Sequence, residues 1–239
     1  MLRWLRRDPK HLIEHQRRMF KLLHDYPVYE PPHRQGPNCL NQGAGQNADE
    51  YHRYIREHVA RGEENLYRLR QAHRHERLAA LRAFLSKFDV ELYTDDAGLS
   101  AVSAWCPGNC GALVANMRDH ATRRAFFQLA PWTGELRGLN VVFDLGVFLG
   151  ECLIARNPKL HWKYLGGGSS SAGPANLSGY RIAGFRDIRD SLDAPSFMYN
   201  HCANDQAMVR WPNFDRNLHL NTLVGIVRDR STRQGRPRE

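Results

Sequence analysis

The chain is short of the residue patterns that announce a chemistry. Its five cysteines, Cys39, Cys106, Cys110, Cys152 and Cys202, are odd in number and scattered. Such a set is not the framework of a small, disulfide-stapled secreted domain. No CxxC pair occurs, which removes the usual redox motif. Cys106 and Cys110 are four apart around Pro107-Gly108-Asn109, a turn by composition rather than a metal knuckle. A zinc site would need a second pair drawn from scattered residues such as His201-Cys202 or Cys39. The favoured reading is therefore ordinary buried thiols, with no metal and no cofactor.

Other signatures are missing too. The twelve histidines form no HExxH, and His73-x-His75 would point in different directions on a helix. The serines at 169–171 lie in a glycine-rich stretch without a GxSxG elbow, and the NQGAGQN segment lacks the lysine of a phosphate-binding loop. The start, MLRWLRRDPK, is charged but is not followed by an apolar run of signal-peptide length. The longest apolar run, Asn140 to Leu165, is too short for a membrane span and carries two acids. These features lead to an expectation of a reducing cytoplasm and no transmembrane segment.

What is present is a core and a positive charge. Hydrophobic residues make up 42% of the chain and aromatics 10%, which sets it apart from disordered sequences. The formal charge is +9. That excess suits nucleic acid, anionic lipid or an acidic protein surface, and equally a soluble protein with solvated arginines.

Asp8-Pro9 is a helix opening, and Leu12, Ile13, Gln16, Met19, Phe20 and Leu23 follow one helical face. The opposite face is basic, with Lys10, Arg17, Arg18 and Lys21. Residues 26–47 are broken by prolines and glycines into an irregular arm. A helical pattern runs from about Glu50 to Phe88, divided near Gly62 and residues 71–75, with acids and bases interspersed as on a solvated face. Residues 89–93 read as a short strand or an extended link. Asp95-Asp96 caps a helix through Trp105, and a further helix is expected over residues 112–129.

Asn140–Leu165 then reads as a buried helix, stopped at Asn157-Pro158 and followed by a strand. A low-complexity loop at 166–179 leads to a second strand at 180–185, and helices are expected over 196–211 and 217–230. Asp187, Asp190 and Asp193 form a small acid group whose simplest use is helix capping. The order of elements predicts an α+β fold, mainly helical with a small antiparallel sheet. The expected organisation is an N-terminal helix and arm over 1–48, a single core domain over 49–227 and a basic flexible tail over 228–239.

Within the central stretch, Asp144 and Glu151 are seven apart and Gly146 and Gly150 four apart. The glycines would let another chain segment come close. A carboxylate entering an apolar environment must be paired or hydrogen-bonded. Asp144, Gly146, Gly150, Glu151 and Trp162 are accordingly assigned to the structural core, with Glu151 as an anchor. The competing use of Glu151, as a general acid or base beside His161 or His201, lacks an accompanying nucleophile, metal motif or cofactor loop.

The run Leu145-Gly146-Val147-Phe148-Leu149-Gly150-Glu151, followed by Trp162 on the next strand, resembles a segment of uncharacterised bacterial proteins. In those, an LGxYLGE-type helix leads into a tryptophan-bearing strand. Gly98-Leu99-Ser100-Ala101-Val102-Ser103-Ala104-Trp105 is similar to their short acid-capped helix. The resemblance implies, as one option, an immunity protein of a contact-dependent or secreted toxin system, and it supplies no catalytic residues. The leading expectation is a cytoplasmic, non-catalytic module that binds a protein partner, such as a cognate toxin, with Arg17, Arg18, His33 and Arg34 as candidate contacts. Two other readings stay open. One is a nucleic-acid-associated protein using the basic helix, the arginine tail and Trp4, Tyr51 and Tyr54 for stacking. The other is an enzyme centred on Glu151.

Overall fold

The computed structural model describes residues 9–28, 60, 64, 73–128, 132–164, 180–185, 191–210 and 223–232. In chain order the elements are α1 (Pro9–Leu22), α2 (Arg74–Ser86), α3 (Asp96–Asn109), α4 (His120–Gln128), α5 (Gly138–Arg156), β1 (His161–Tyr164), β2 (Tyr180–Ala183), α6 (Ala194–Arg210) and α7 (Leu223–Thr232). The protein is mainly helical with one two-stranded antiparallel sheet, the α+β class expected from the sequence.

The apolar stretch forms α5, and every residue from Gly138 to Gly150 is buried. The run was expected to be too short for a membrane span; by length and composition alone the helix is long and apolar enough for one, and most of it is packed against the other helices. It packs most extensively on α6, with α2 and α7 against its other sides. Its start is fixed by Asn140, whose amide donates to the carbonyls of Trp132 at 3.0 Å and Arg137 at 2.9 Å. Close approach explains the two glycines. A Cβ at Gly146 would lie 2.5 Å from the Cα of Pro195 on α6, and one at Gly150 would enter the Trp162 ring. One glycine admits a helix backbone and the other an indole.

β1 pairs with β2 in the register Trp162↔Ile182, and Ile182 also bridges Leu192. Alternation along β1 buries Trp162 and Tyr164 and leaves His161 and Lys163 exposed. The connection over 165–179 lies outside the described residues, as does most of the irregular arm.

Aspartates cap the helices as their positions suggest. Asp95 accepts from the Gly98 amide at the start of α3, and Asp193 accepts from the Ser196 amide at the start of α6, both at 2.9 Å. Asp187 and Asp190 lie outside the described residues. Residues 90–93 form an extended link without a strand.

Two expectations need correction. The helix expected over 112–129 is only α4; residues 110–112 form a 3-10 turn and 113–119 are irregular. Gln206 of α6 draws this segment away from helical geometry. Its amide donates to the carbonyls of Gly111 at 2.7 Å and Val114 at 2.8 Å, and its oxygen accepts from the Met117 amide at 2.8 Å. Residues 228–232, expected to belong to a flexible tail, instead form the end of α7, which continues to Thr232. Buried Val227 and the Arg228–Asp96 ion pair at 2.9 Å hold its middle turn.

Candidate functional site

Three polar arrangements stand out against this apolar core. The first joins α2 to α5. Arg77 donates to Asp144 at 2.8 Å, and Tyr26, just beyond α1, donates its hydroxyl to the other Asp144 oxygen at 2.7 Å. The pair is sealed, with side-chain exposures of 1% and 0%. The Arg77 guanidinium also lies 4.8 Å from the centre of the Phe143 ring. Burial lifts the Asp144 carboxyl above its ordinary range, while the Arg77 charge and the two hydrogen bonds pull it down.

Three residues earlier on α2 and seven later on α5, Arg74 lies 3.4 Å from Glu151. The other Glu151 oxygen accepts from the Trp162 indole at 2.8 Å. The two pairs run in opposite directions along the helices, so they fix an antiparallel register of α2 on α5. Asp144, Gly146, Gly150 and Trp162 are buried, and Glu151 is half-buried. Glu151 thus ties helix, strand and α2 together. His161, one candidate companion for it in a catalytic centre, is on the exposed face of β1, with its Nδ1 at 3.2 Å from the Lys159 carbonyl. His201 is on α6, in a different cluster.

That cluster is the second arrangement. The Cys106-Pro-Gly-Asn-Cys110 segment ends α3 in a turn, with Pro107 extended at ψ 115° and Gly108 left-handed at φ 81°. Only glycine takes that φ without strain. Asp205 of α6 holds the turn: its carboxylate accepts from the Gly108 amide at 2.9 Å and the Gly111 amide at 2.8 Å. The same face of α6 carries His201 and Cys202, one turn before Asp205.

Cys106 lies beside Cys110 and His201, and Cys110 beside Cys202. The three thiols are buried and the imidazole is half-buried. Neighbouring Cys110, then His201, hold the Cys106 thiol down at about 7 against its burial. Burial, with the neighbouring sulfurs, pushes Cys110 well up. Burial disfavours charge on His201, but the Cys106 contact and the Asp205 charge outweigh it and raise that imidazole. These effects favour charge on Cys106 and His201 and disfavour it on Cys110. Among the described residues no group of three or more His, Cys, Asp and Glu side chains is arranged to hold a metal ion.

The third arrangement is the outer face of α1. Arg17, Arg18 and Lys21 are exposed, and Ile13, one turn before Arg17, is 50% exposed. The inner face buries Met19 and Leu23. Beyond the helix, Lys87 donates to the Leu22 carbonyl at 3.3 Å and Arg137 donates to the His24 carbonyl. These cations meet the negative end of the helix and fix its position. His33 and Arg34 lie outside the described residues.

No known family, curated protein or solved structure matches this chain. The functional reading therefore rests on these three arrangements.

In the sequence His201-Cys202 and Cys39 are only scattered residues that a zinc site would have to draw on, and ordinary thiols are the favoured reading. The fold brings His201 and Cys202 to the Cys106–Cys110 turn, while Cys39 lies outside the described residues. Nothing in the spacing marked them as neighbours.

Proposed function

We propose that the chain is a non-catalytic protein-binding module, acting in the cytoplasm as an immunity protein that neutralises a bacterial toxin by direct binding. The observation that carries this reading is the basic outer face of α1, seated on the core by buried Met19, Leu23 and Tyr26. Arg17, Arg18 and Lys21 point outward while Tyr26, four residues past the helix, is hydrogen-bonded to the buried Asp144–Arg77 pair. A pre-fixed positive face loses little entropy on docking and attracts an acidic protein surface at long range. The two core acids fit the same reading, since Asp144 and Glu151 are engaged by residues of the fold itself.

The test is co-expression with the product of a large toxin gene adjacent to the one encoding this chain. Rescue of growth and co-purification of a stoichiometric complex are expected. Both should be lost in Arg17→Glu/Arg18→Glu/Lys21→Glu, a variant that alters exposed residues only. Failure of the unaltered chain to rescue growth or form a complex would overturn the reading. A salt-dependent mobility shift with DNA or RNA, lost in the same variant, would replace it with nucleic-acid binding.

A further inference from the structure

We propose that the buried cluster of Cys106, Cys110, Cys202 and His201 is an oxidation-sensitive thiol site. In it Cys106 is the sulfur that reacts with a small peroxide and Cys110 the sulfur that resolves it. This inference is independent of the binding role assigned to α1.

The geometry supplies the parts. Cys106 closes α3 and Cys110 opens the next 3-10 turn, with the Pro107-Gly108 bend folding the second sulfur back onto the first. Asp205 fixes that bend through the amides of Gly108 and Gly111, so the backbone that carries the two cysteines is set before any reaction. His201 lies beside Cys106 from α6, one turn before the Asp205 that holds the bend. A thiolate beside an imidazolium is the reactive form of cysteine. The neighbouring thiol is what distinguishes a resolvable site from one that over-oxidises.

Access selects the oxidant. Cys106 is 1% exposed, which keeps out bulky thiols and disulfides. Its neighbours lie near the surface: Pro107 is exposed, and Gly108, Asn109 and His201 are half-buried. Hydrogen peroxide, smaller than these thiols and disulfides, is therefore the oxidant proposed to reach the sulfur.

The chemistry balances with the peroxide as oxidant. The Cys106 thiolate attacks one peroxide oxygen and the O–O bond breaks. The departing hydroxide takes the His201 proton and leaves as water, and Cys106 becomes a sulfenic acid. Cys110 then attacks the Cys106 sulfur. The S–S bond forms, the S–O bond breaks, and the hydroxyl leaves with the Cys110 thiol proton as a second water. Two thiols and one peroxide yield one disulfide and two waters.

Cys152 provides a control within the same molecule. It is equally buried, at 1%, lies on α5, and burial pushes its thiol up. The full-length reduced chain is treated with limiting hydrogen peroxide at neutral pH and quenched with an alkylating agent under denaturing conditions. Peptide mass spectrometry then follows each cysteine. Cys106 is expected to be consumed at least about tenfold faster than Cys152, with a Cys106–Cys110 disulfide as the product. In Cys110→Ser, a dimedone-reactive sulfenic acid should accumulate at Cys106. In His201→Asn, the Cys106 rate should fall about tenfold or more while the Cys152 rate holds. Equal rates at Cys106 and Cys152 in the unaltered chain would overturn the proposal, and that comparison needs no variant to fold. A stoichiometric metal ion in the purified chain, released together with the modification of Cys106, Cys110 and Cys202, would overturn it as well.

Discussion

Replacing Arg77 with methionine isolates the buried ion pair that joins α2 to α5. The substitution keeps a long side chain and deletes the guanidinium, leaving Asp144 with one hydrogen bond, from Tyr26 at 2.7 Å. Both partners of the pair are almost fully buried, so no water replaces what is lost. Breaking such a pair from one side costs about 3–5 kcal/mol. The loss should depend on pH. Asp144 already sits above the ordinary carboxyl range because of burial, and the Arg77 charge is the leading influence holding it down. Without Arg77 it rises further. A raised carboxyl pKa means that the folded state binds the proton more tightly than the unfolded state does. The extra destabilisation is therefore full above the variant's folded pKa and shrinks as pH falls through it towards the ordinary range. Urea unfolding of both proteins at neutral pH and at acid pH measures the difference directly. The variant Tyr26→Phe/Arg77→Met/Asp144→Leu removes every polar atom of the group together and should return to within about 2 kcal/mol of the unaltered protein. A loss below about 1 kcal/mol for Arg77→Met at neutral pH, or a loss that ignores pH, would refute the reasoning.

Further predictions concern the other anchors. Gly150→Ala places a methyl against the Trp162 ring and should lower stability by about 1–3 kcal/mol, read as a drop in melting temperature. Trp162→Phe removes the indole donor to Glu151 and should cost about 1–2 kcal/mol beyond any change in packing; a double-mutant cycle with Glu151→Gln isolates that coupling. Asp205→Asn weakens the charged acceptor of the Gly108 and Gly111 amides; a loss of about 1.5–3 kcal/mol is expected, with faster hydrogen exchange at those two amides. The Cys106 thiol should titrate at about 7 by thiolate ultraviolet absorbance, and higher in His201→Asn. Because that folded value lies below the ordinary 9.0, the stability it contributes is full above 9.0 and is lost as pH falls through about 7.

The central helix and hairpin were legible because their signals are local. A dense apolar run with a proline stop specifies a buried helix, and the alternation of His161, Trp162, Lys163 and Tyr164 specifies a half-buried strand. The caps at Asp95 and Asp193 were legible for the same reason, since each aspartate bonds an amide three residues ahead. The need for Asp144 and Glu151 to have partners was also predictable from the cost of burying charge. Which arginines would answer was not, because Arg77 lies 67 residues from Asp144. The failed helix over 112–129 has the same origin. Its apolar spacing is helical, but Gln206 satisfies the carbonyls and the amide of that segment from about ninety residues away. A distant side chain overrode a local preference.

The thiol cluster shows the same dependence on distant residues. Pro107-Gly108 states a turn, and a turn alone says only that Cys106 and Cys110 are near each other. What changes their chemistry is α6, where His201, Cys202 and Asp205 share one face because helical spacing puts residues four apart in line. Asp205 is the link between the two levels. It is spent on the amides of the turn, which fixes the backbone, and its charge also favours the imidazolium of His201. The residue that shapes the turn thereby helps set the ionisation of the sulfur the turn carries. Asp205→Asn should therefore do more than loosen a loop: the Cys106 titration should move, whereas a residue with a merely structural role in the turn would leave it in place.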